Sequence, residues 1–335
     1  MSSTDDAASR RSQLIAAALS SLVPEGERAT STSSSFPGGA IVHTASCSHV
    51  WLDEQPTRGI AVAMLLASRA GSPSVRILVR SEHDAEIGIT ARRARLWRVP
   101  ATVERLVGNV ASPVAPAVHE AEGTLPESHE RFAAIIAESG AQVVSEHGVL
   151  TGEVDGLEVC RVIDDGDGAR LEVGVGSHDR EAFQMLHGDT PAADSLTRIV
   201  ASVAALRAPD ADPHPLNRLA PERQLRQRII AAPSLVGAAS AMAVPGVLPA
   251  PGPGHPSPAH LVAQRDGEQV LVACTTGTDL GAMADALDTF DWHRDRYELT
   301  SLLVAVPLRN QLRAMDDLAR LAGVPASVVG IPDRN

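Results

Sequence analysis

The strongest local constraint in the chain is the pair Asp155-Gly156, set between two runs of alternating apolar residues, Gly148 to Val154 and Leu157 to Ile163. A two-residue loop of this composition accepts positive φ at both positions and joins neighbouring antiparallel strands. Side chains alternate with a period of two, so the loop also fixes register: Val154 falls opposite Leu157, and Glu153 opposite Glu158. The turn-forming run Asp164-Asp165-Gly166-Asp167-Gly168 then leads into a third strand, Ala169 to Val175. Around this meander the sequence predicts helices at Ser128–Ser139, with Gly140 as C-cap, and at Asp179–Leu186 and Asp194–Leu206. The middle of the chain reads as α-β-β-β-α.

Pairing Ile163 with Ala169 across the second turn sets Cys160 opposite Glu172 and Glu158 opposite Gly174. One face then holds Leu150, Val154, Leu157, Val159, Ile163, Leu171, Val173 and Val175 and must meet the helices. The other collects Thr151, Glu153, Glu158, Arg170 and Glu172. Like charges directly opposite destabilise a sheet by up to about 1 kcal/mol. Three clustered glutamates therefore require solvent, Arg170 or a cation. If a cation, Glu153, Glu158 and Glu172 are the candidate ligands of a hard ion such as Mg²⁺, which would orient a water and stabilise charge on a phosphoryl group. If solvent, they form the wet side of an antiparallel sheet, which is the usual fate of a charge cluster.

This element order, with an acid on the second strand and Glu172-Val173-Gly174 on the third, resembles the PD-(D/E)xK nuclease core over about residues 128–206. The resemblance implies that Glu158 matches the second-strand acid and Glu172 the acid of the E-x-K element, both catalytic, with Mg²⁺ as cofactor. Gly174 stands where that family places the lysine that positions the attacking water. A replacement cation would have to come from His178 or Arg180. The chain also resembles a conserved protein type of high-GC bacteria, a likeness that implies no activity.

The flanking regions follow a different grammar. Residues 40–118 read as strands at Ile41–His43, His49–Leu52, Val75–Val79 and Ala101–Val107, with helices at Gly59–Ala70 and Asp84–Trp97. Residues 259–332 repeat the alternation: strands at Gln269–Cys274, Leu299–Val306 and Ala326–Ile331, helices at Thr278–Leu287 and Arg309–Ala322. Strands alternating with helices imply largely parallel sheets. The expected fold is thus α/β: two Rossmann-like units flanking an α+β middle unit over 126–232. Residues 1–39 are expected to be a helix and a Ser/Thr-rich lead-in, and 243–258 a proline-rich linker. In the N-terminal helix, Leu14, Ala18 and Leu22 share a face. Arg10-Arg11 ahead of an apolar stretch superficially resembles a twin-arginine signal, but no small-residue cleavage site follows.

Composition excludes several chemistries. All 29 basic residues are arginine, since no lysine is present. Schiff-base, pyridoxal-phosphate and Walker A mechanisms are ruled out. Eight aromatic residues and a net charge of −12 are a poor basis for base stacking or non-specific nucleic-acid binding. Cys47, Cys160 and Cys274 are widely spaced and form no CxxC pair, so reduced thiols in a cytoplasm are expected. The uncharged stretch Ile229–Gln264 carries seven prolines and is not expected to cross a membrane.

Other signals admit plainer explanations. Thr276, Gly277 and Thr278 follow a strand and open a helix, a position able to bind a phosphate or carboxylate or simply to cap the helix. His43, Cys47 and His49 are metal-ligand types, without a second cluster to complete a zinc site. The sets Arg92/Arg93/Arg95/Arg98 and Arg218/Arg223/Arg226/Arg228 could engage phosphates or pair with local acids such as Glu222. Two functions from different classes remain. One is a soluble, intracellular binding or scaffold protein that keeps a nuclease-like core as architecture, with unknown partner. The other is a divalent-metal-dependent phosphodiesterase or nuclease using Glu158 and Glu172, assisted by Glu153. The missing lysine and the acidic charge favour the first.

Overall fold

The computed structural model describes residues 2–28, 31–166, 168–176, 180, 192–212, 214–250 and 252–333. The expected helix at Asp179–Leu186 and the candidate His178 lie outside the described residues, Arg180 excepted. The chain is mixed α/β with three sheets. It divides into two compact units, one formed by Met1–His119, Gly277–Val304 and Gln311–Val328 and the other by the remaining segments.

In the first unit the helices are α1 (Ser2–Leu22), α2 (Glu25–Arg28), α3 (Pro56–Arg69) and α4 (Asp84–Ala94). The strands β1 (Thr32–Phe36), β2 (Gly39–His43), β3 (Ser48–Leu52), β4 (Val75–Arg80), β5 (Ala101–Val107) and β6 (Val110–Pro113) lie in that order across one sheet. Pairing is parallel for β3–β4 and β4–β5, where α3 and α4 make the crossovers, and antiparallel elsewhere. The unbroken apolar run of β4 matches a strand covered on both sides. Ile41, Val50, Ile77 and Val103 line up across β2 to β5 and face the crossover helices, while Ala40, Val42 and Leu78 meet α1.

Two expectations change here. The stretch read as a Ser/Thr-rich lead-in contains β1, a strand with four exposed residues and only Phe36 buried. It is held at the sheet edge by backbone pairing, which leaves no apolar alternation to read. In α1 the buried stripe is Ile15 and Leu19, continued by Val23 just past the helix, one position along from Leu14, Ala18 and Leu22, and Leu14 is 71% exposed. Apolar residues occupy both neighbouring stripes, so packing on β2 chooses the rotation.

In the second unit β7 (Gln142–Glu146), β8 (Val149–Val154), β9 (Leu157–Asp165) and β10 (Gly168–Val173) form an antiparallel sheet in the order β10-β9-β8-β7. The meander is thus extended by one strand at its start. Helices α5 (Glu127–Glu130), α6 (Phe132–Glu138) and α7 (Ala192–Leu206) accompany it. Ile136, Leu150, Leu157, Cys160, Val162, Leu196 and Val200 form its core. Helix α8 (Pro221–Ala231) follows, with Pro221 in its first turn.

The third sheet runs β11 (Ser240–Val244), β12 (Ala259–Arg265), β13 (Glu268–Cys274), β14 (Leu299–Pro307) and β15 (Ala326–Ile331). Helix α9 (Ala282–Tyr297) connects β13 to β14, and α10 (Arg313–Leu321) connects β14 to β15. Among the described residues no helix is long and apolar enough to cross a membrane.

Candidate functional site

The hairpin at Asp155-Gly156 forms as its composition requires: φ is +47° and +80° at the two positions, with Val154 opposite Leu157 and Glu153 opposite Glu158. Beyond it the expected register slips by one residue. Asp165 pairs with Gly168, so Ile163 faces Arg170 rather than Ala169, and Glu172 faces Arg161 rather than Cys160. The observed register sets Leu171 against Val162 and Val173 against Cys160, apolar on apolar, with Glu172 against an arginine. The expected register would have set Leu171 against Arg161. Cross-strand complementarity selects the observed one.

A bulge at Gly152/Glu153 reconciles the two turns. Two residues of β9, Glu158 and Val159, fill the step that β8 makes from Gly152 to Glu153. Burial along β9 records this, because Val159 and Cys160 are consecutive and both fully buried. The core face therefore gains Cys160 and Val162, while Ile163, expected in the core, is only half-buried. Gly152 admits no side chain at the bulge, since a Cβ there would lie 2.6 Å from Cys160 Sγ and 2.8 Å from Ile136 Cγ2.

The bulge also turns Glu158 to the face that carries Arg161, so the two form a bidentate pair with both contacts at 2.9 Å. Arg180 donates from Nη1 to Glu158 Oε1 at 2.9 Å, and its Nε lies 3.5 Å from Glu172 Oε2. Arg170 donates to Glu172 Oε1 at 2.8 Å. The positive charge between Glu158 and Glu172 is thus a guanidinium, from Arg180 in the segment after β10. Gly174, at the lysine's place in the resemblance, packs on the Arg180 backbone, which would stand 2.9 Å from a Cβ.

Glu153 is not on a wet face. It is 1% exposed and lies under α8, which brings Arg223 and Arg226 to it. The same two arginines reach Glu146 of β7 at 2.7 and 2.6 Å. Burial alone would raise the Glu146 carboxyl, and the charges of Arg226 and Arg223 overcome this and hold it below its ordinary value. Conversely, burial disfavours the charged Arg223, but Glu153 and Glu146 raise its pKa above the usual range. The spacing of Arg223 and Arg226 on α8 placed both on one helix face. Glu146 had no such signal, because its strand was not expected.

On the outer side of this network lies a cleft of about 490 Å³. Glu158, Glu222, Arg161, Arg180 and Arg223 contribute its charged wall, and His255 and Ser257, from the proline- and glycine-rich segment before β12, its other side. A guanidinium carries five N–H donors in a fixed fork. Arg161 and Arg223 each spend two of these donors on carboxylates, and Arg180 spends one on Glu158.

The remaining candidates sit apart. Thr276 to Thr278 precede α9, which starts only at Ala282 with Gly281 as N-cap. The Gly281 N–H donates to Asp279 Oδ1 at 2.9 Å within the turn that precedes the helix, and no side chain hydrogen-bonds the cap of α9. His43 Nδ1 contacts Ser48 Oγ at 2.7 Å, and His49 is buried in β3. Cys160 and Cys274 are free thiols whose burial pushes them up to about 12, the state of structural rather than reactive cysteines. Among the described residues no group of three or more His, Cys, Asp or Glu side chains is arranged to hold a metal ion. No family model, curated protein or solved structure matches the chain.

Proposed function

We propose that this is a binding protein that keeps a nuclease-like core as architecture, and that its ligand is a metal-free anion held in the arginine-walled cleft of the second unit. One observation carries the reading: Glu153, Glu158 and Glu172 are all engaged by arginine, so the carboxylates position guanidinium groups instead of waiting for a cation. A guanidinium fixed by a carboxylate on one edge presents its free edge in a set orientation, which suits phosphate or carboxylate oxygens. The alternation of strands and crossover helices in β3-α3-β4-α4-β5 supports a Rossmann-like description of the first unit, with β1, β2 and β6 as additions.

The test titrates the full chain with Mg²⁺ and Mn²⁺, assays cleavage of single- and double-stranded DNA, and measures pyrophosphate binding without metal. Wild type is compared with Glu172→Ala and Arg161→Ala. The expected result is no metal-dependent cleavage, with pyrophosphate binding weakened about tenfold in Arg161→Ala, as for one lost charge-assisted contact. Metal-dependent cleavage abolished by Glu172→Ala would replace this reading with the phosphodiesterase one, in which Glu153, Glu158 and Glu172 hold Mg²⁺.

A further inference from the structure

The first unit has a cavity of its own, about 560 Å³, of different chemistry. Its floor is built on α4 and α9. Leu287 and Phe290 are buried side chains of α9, and Val118, 85% exposed, stands at its opening. Arg95, Arg294 and His119 surround this apolar base. A mostly apolar concavity of this size with a few convergent polar groups is the usual form of a small-molecule site.

The arginines here are in three different states. Arg92, also in the wall, is consumed by structure: Nε and Nη2 donate to Asp288 at 2.7 and 2.9 Å, and Nη1 to the carbonyls of Ala117 and Val118. Those two carbonyl bonds fix the extended chain at 116–119 over α4. Arg294 is loosely tethered, 3.9 Å from Asp291 and 3.7 Å from Asp295, beyond hydrogen-bonding distance. The Arg95 side chain is exposed and has no polar partner among the described residues. Two guanidinium groups are thus available at the rim of an apolar pocket. With Arg92 neutralised by Asp288, the lining leaves Arg95 and Arg294 against one carboxylate, Asp291.

We infer that this cavity binds an amphiphilic organic acid. Its carboxylate pairs with Arg95 and Arg294, and its apolar body lies against Phe290, Leu287 and Val118. The charge excess selects the anion, and the apolar floor selects against small polar anions such as pyrophosphate. The site shares no residue with the cleft of the second unit, so it stands or falls independently of the function proposed above.

The experiment uses the full chain with 8-anilinonaphthalene-1-sulfonate as fluorescent reporter, displaced by octanoate or by its uncharged analogue octanol. Octanoate is expected to displace the reporter from wild type at a concentration at least tenfold below octanol. Arg95→Ala/Arg294→Ala should remove that advantage. Val118→Asp, a substitution at an exposed position that adds negative charge at the opening, should weaken octanoate more than octanol. Arg161→Ala, in the other unit, should leave octanoate displacement unchanged. Equal displacement by octanol and octanoate, an unaltered double variant, or no reporter binding to wild type would each overturn the inference.

Discussion

Asp288 is the residue on which the first unit's polar core turns. Its carboxylate is fully buried and receives Arg92, Arg93 and His119 at 2.7–3.1 Å. Burial by itself would raise its pKa, but the hydrogen bonds from His119 and Arg92 and the charges of Arg93 and Arg92 prevail and hold it far below the carboxylate range. Arg93 is equally buried, and it also reaches Asp285 at 2.7 Å and donates to the Thr57 carbonyl. Replacing one partner of such a cluster leaves a buried charge uncompensated, at a cost of about 3–5 kcal/mol. Asp288→Asn is therefore expected to lower the unfolding free energy by about that amount, as urea denaturation would measure; a loss under 1 kcal/mol would mean that Arg92 and Arg93 find other partners. The arginine run on α4 was legible in sequence as a run. That Arg92 and Arg93 point inward while Arg95 points out was not, because their acids lie nearly two hundred residues away.

Elements show the same division between local and distant causes. The turn at Asp155-Gly156 follows from two residues, and its place in the molecule makes it strict. A Cβ on Gly156 would meet the backbone of Arg223 and Gln224 at 2.4–2.6 Å, at the start of α8. Gly156→Ala is expected to cost about 1–3 kcal/mol from overpacking, with about 1–2 kcal/mol more from the left-handed backbone. It should also displace Arg223 and weaken anion binding in the cleft. Gly166→Ala, in the next turn and with open space around its Cβ, is the control and should change stability by less than about 0.5 kcal/mol. Equal thermal shifts for both variants would refute the close packing of the hairpin on α8. The second turn closes one residue away from the position its composition suggests, although the sequence carries a signal for the observed register. Testing each register for apolar-on-apolar pairs would have favoured Val162 opposite Leu171. The bulge was less accessible: two adjacent core residues, Val159 and Cys160, interrupt the alternation, and only the partner strand shows why.

For the whole molecule, the buried carboxylates set the response to acid. Asp288 in one unit and Glu146 in the other have folded-state pKa values below their ordinary 3.8 and 4.5. The unfolded chain therefore binds protons first as pH falls, and the stability these groups supply is complete above pH 4.5 and lost below it. Unfolding free energy should decline gently from pH 7 to 5, because burial lowers the pKa of His43 and His49 and the unfolded chain protonates there first, and fall more steeply between 4.5 and 3, with a shallower slope in that lower range in Asp288→Asn and Glu146→Gln. A wild-type slope unchanged in both variants would assign acid sensitivity elsewhere. By itself the sequence determined the alternation of strands and crossover helices and the hairpin after Val154, with Glu153 opposite Glu158. These depend on period, turn chemistry and neighbours within a few residues. The tertiary structure alone decided what faces those glutamates. Ion pairs are chosen by proximity in space, and the arginines that neutralise Glu146 and Glu153 arrive on a helix some seventy residues downstream. What reads locally as an acidic patch is, in the folded chain, one half of a charge-balanced wall.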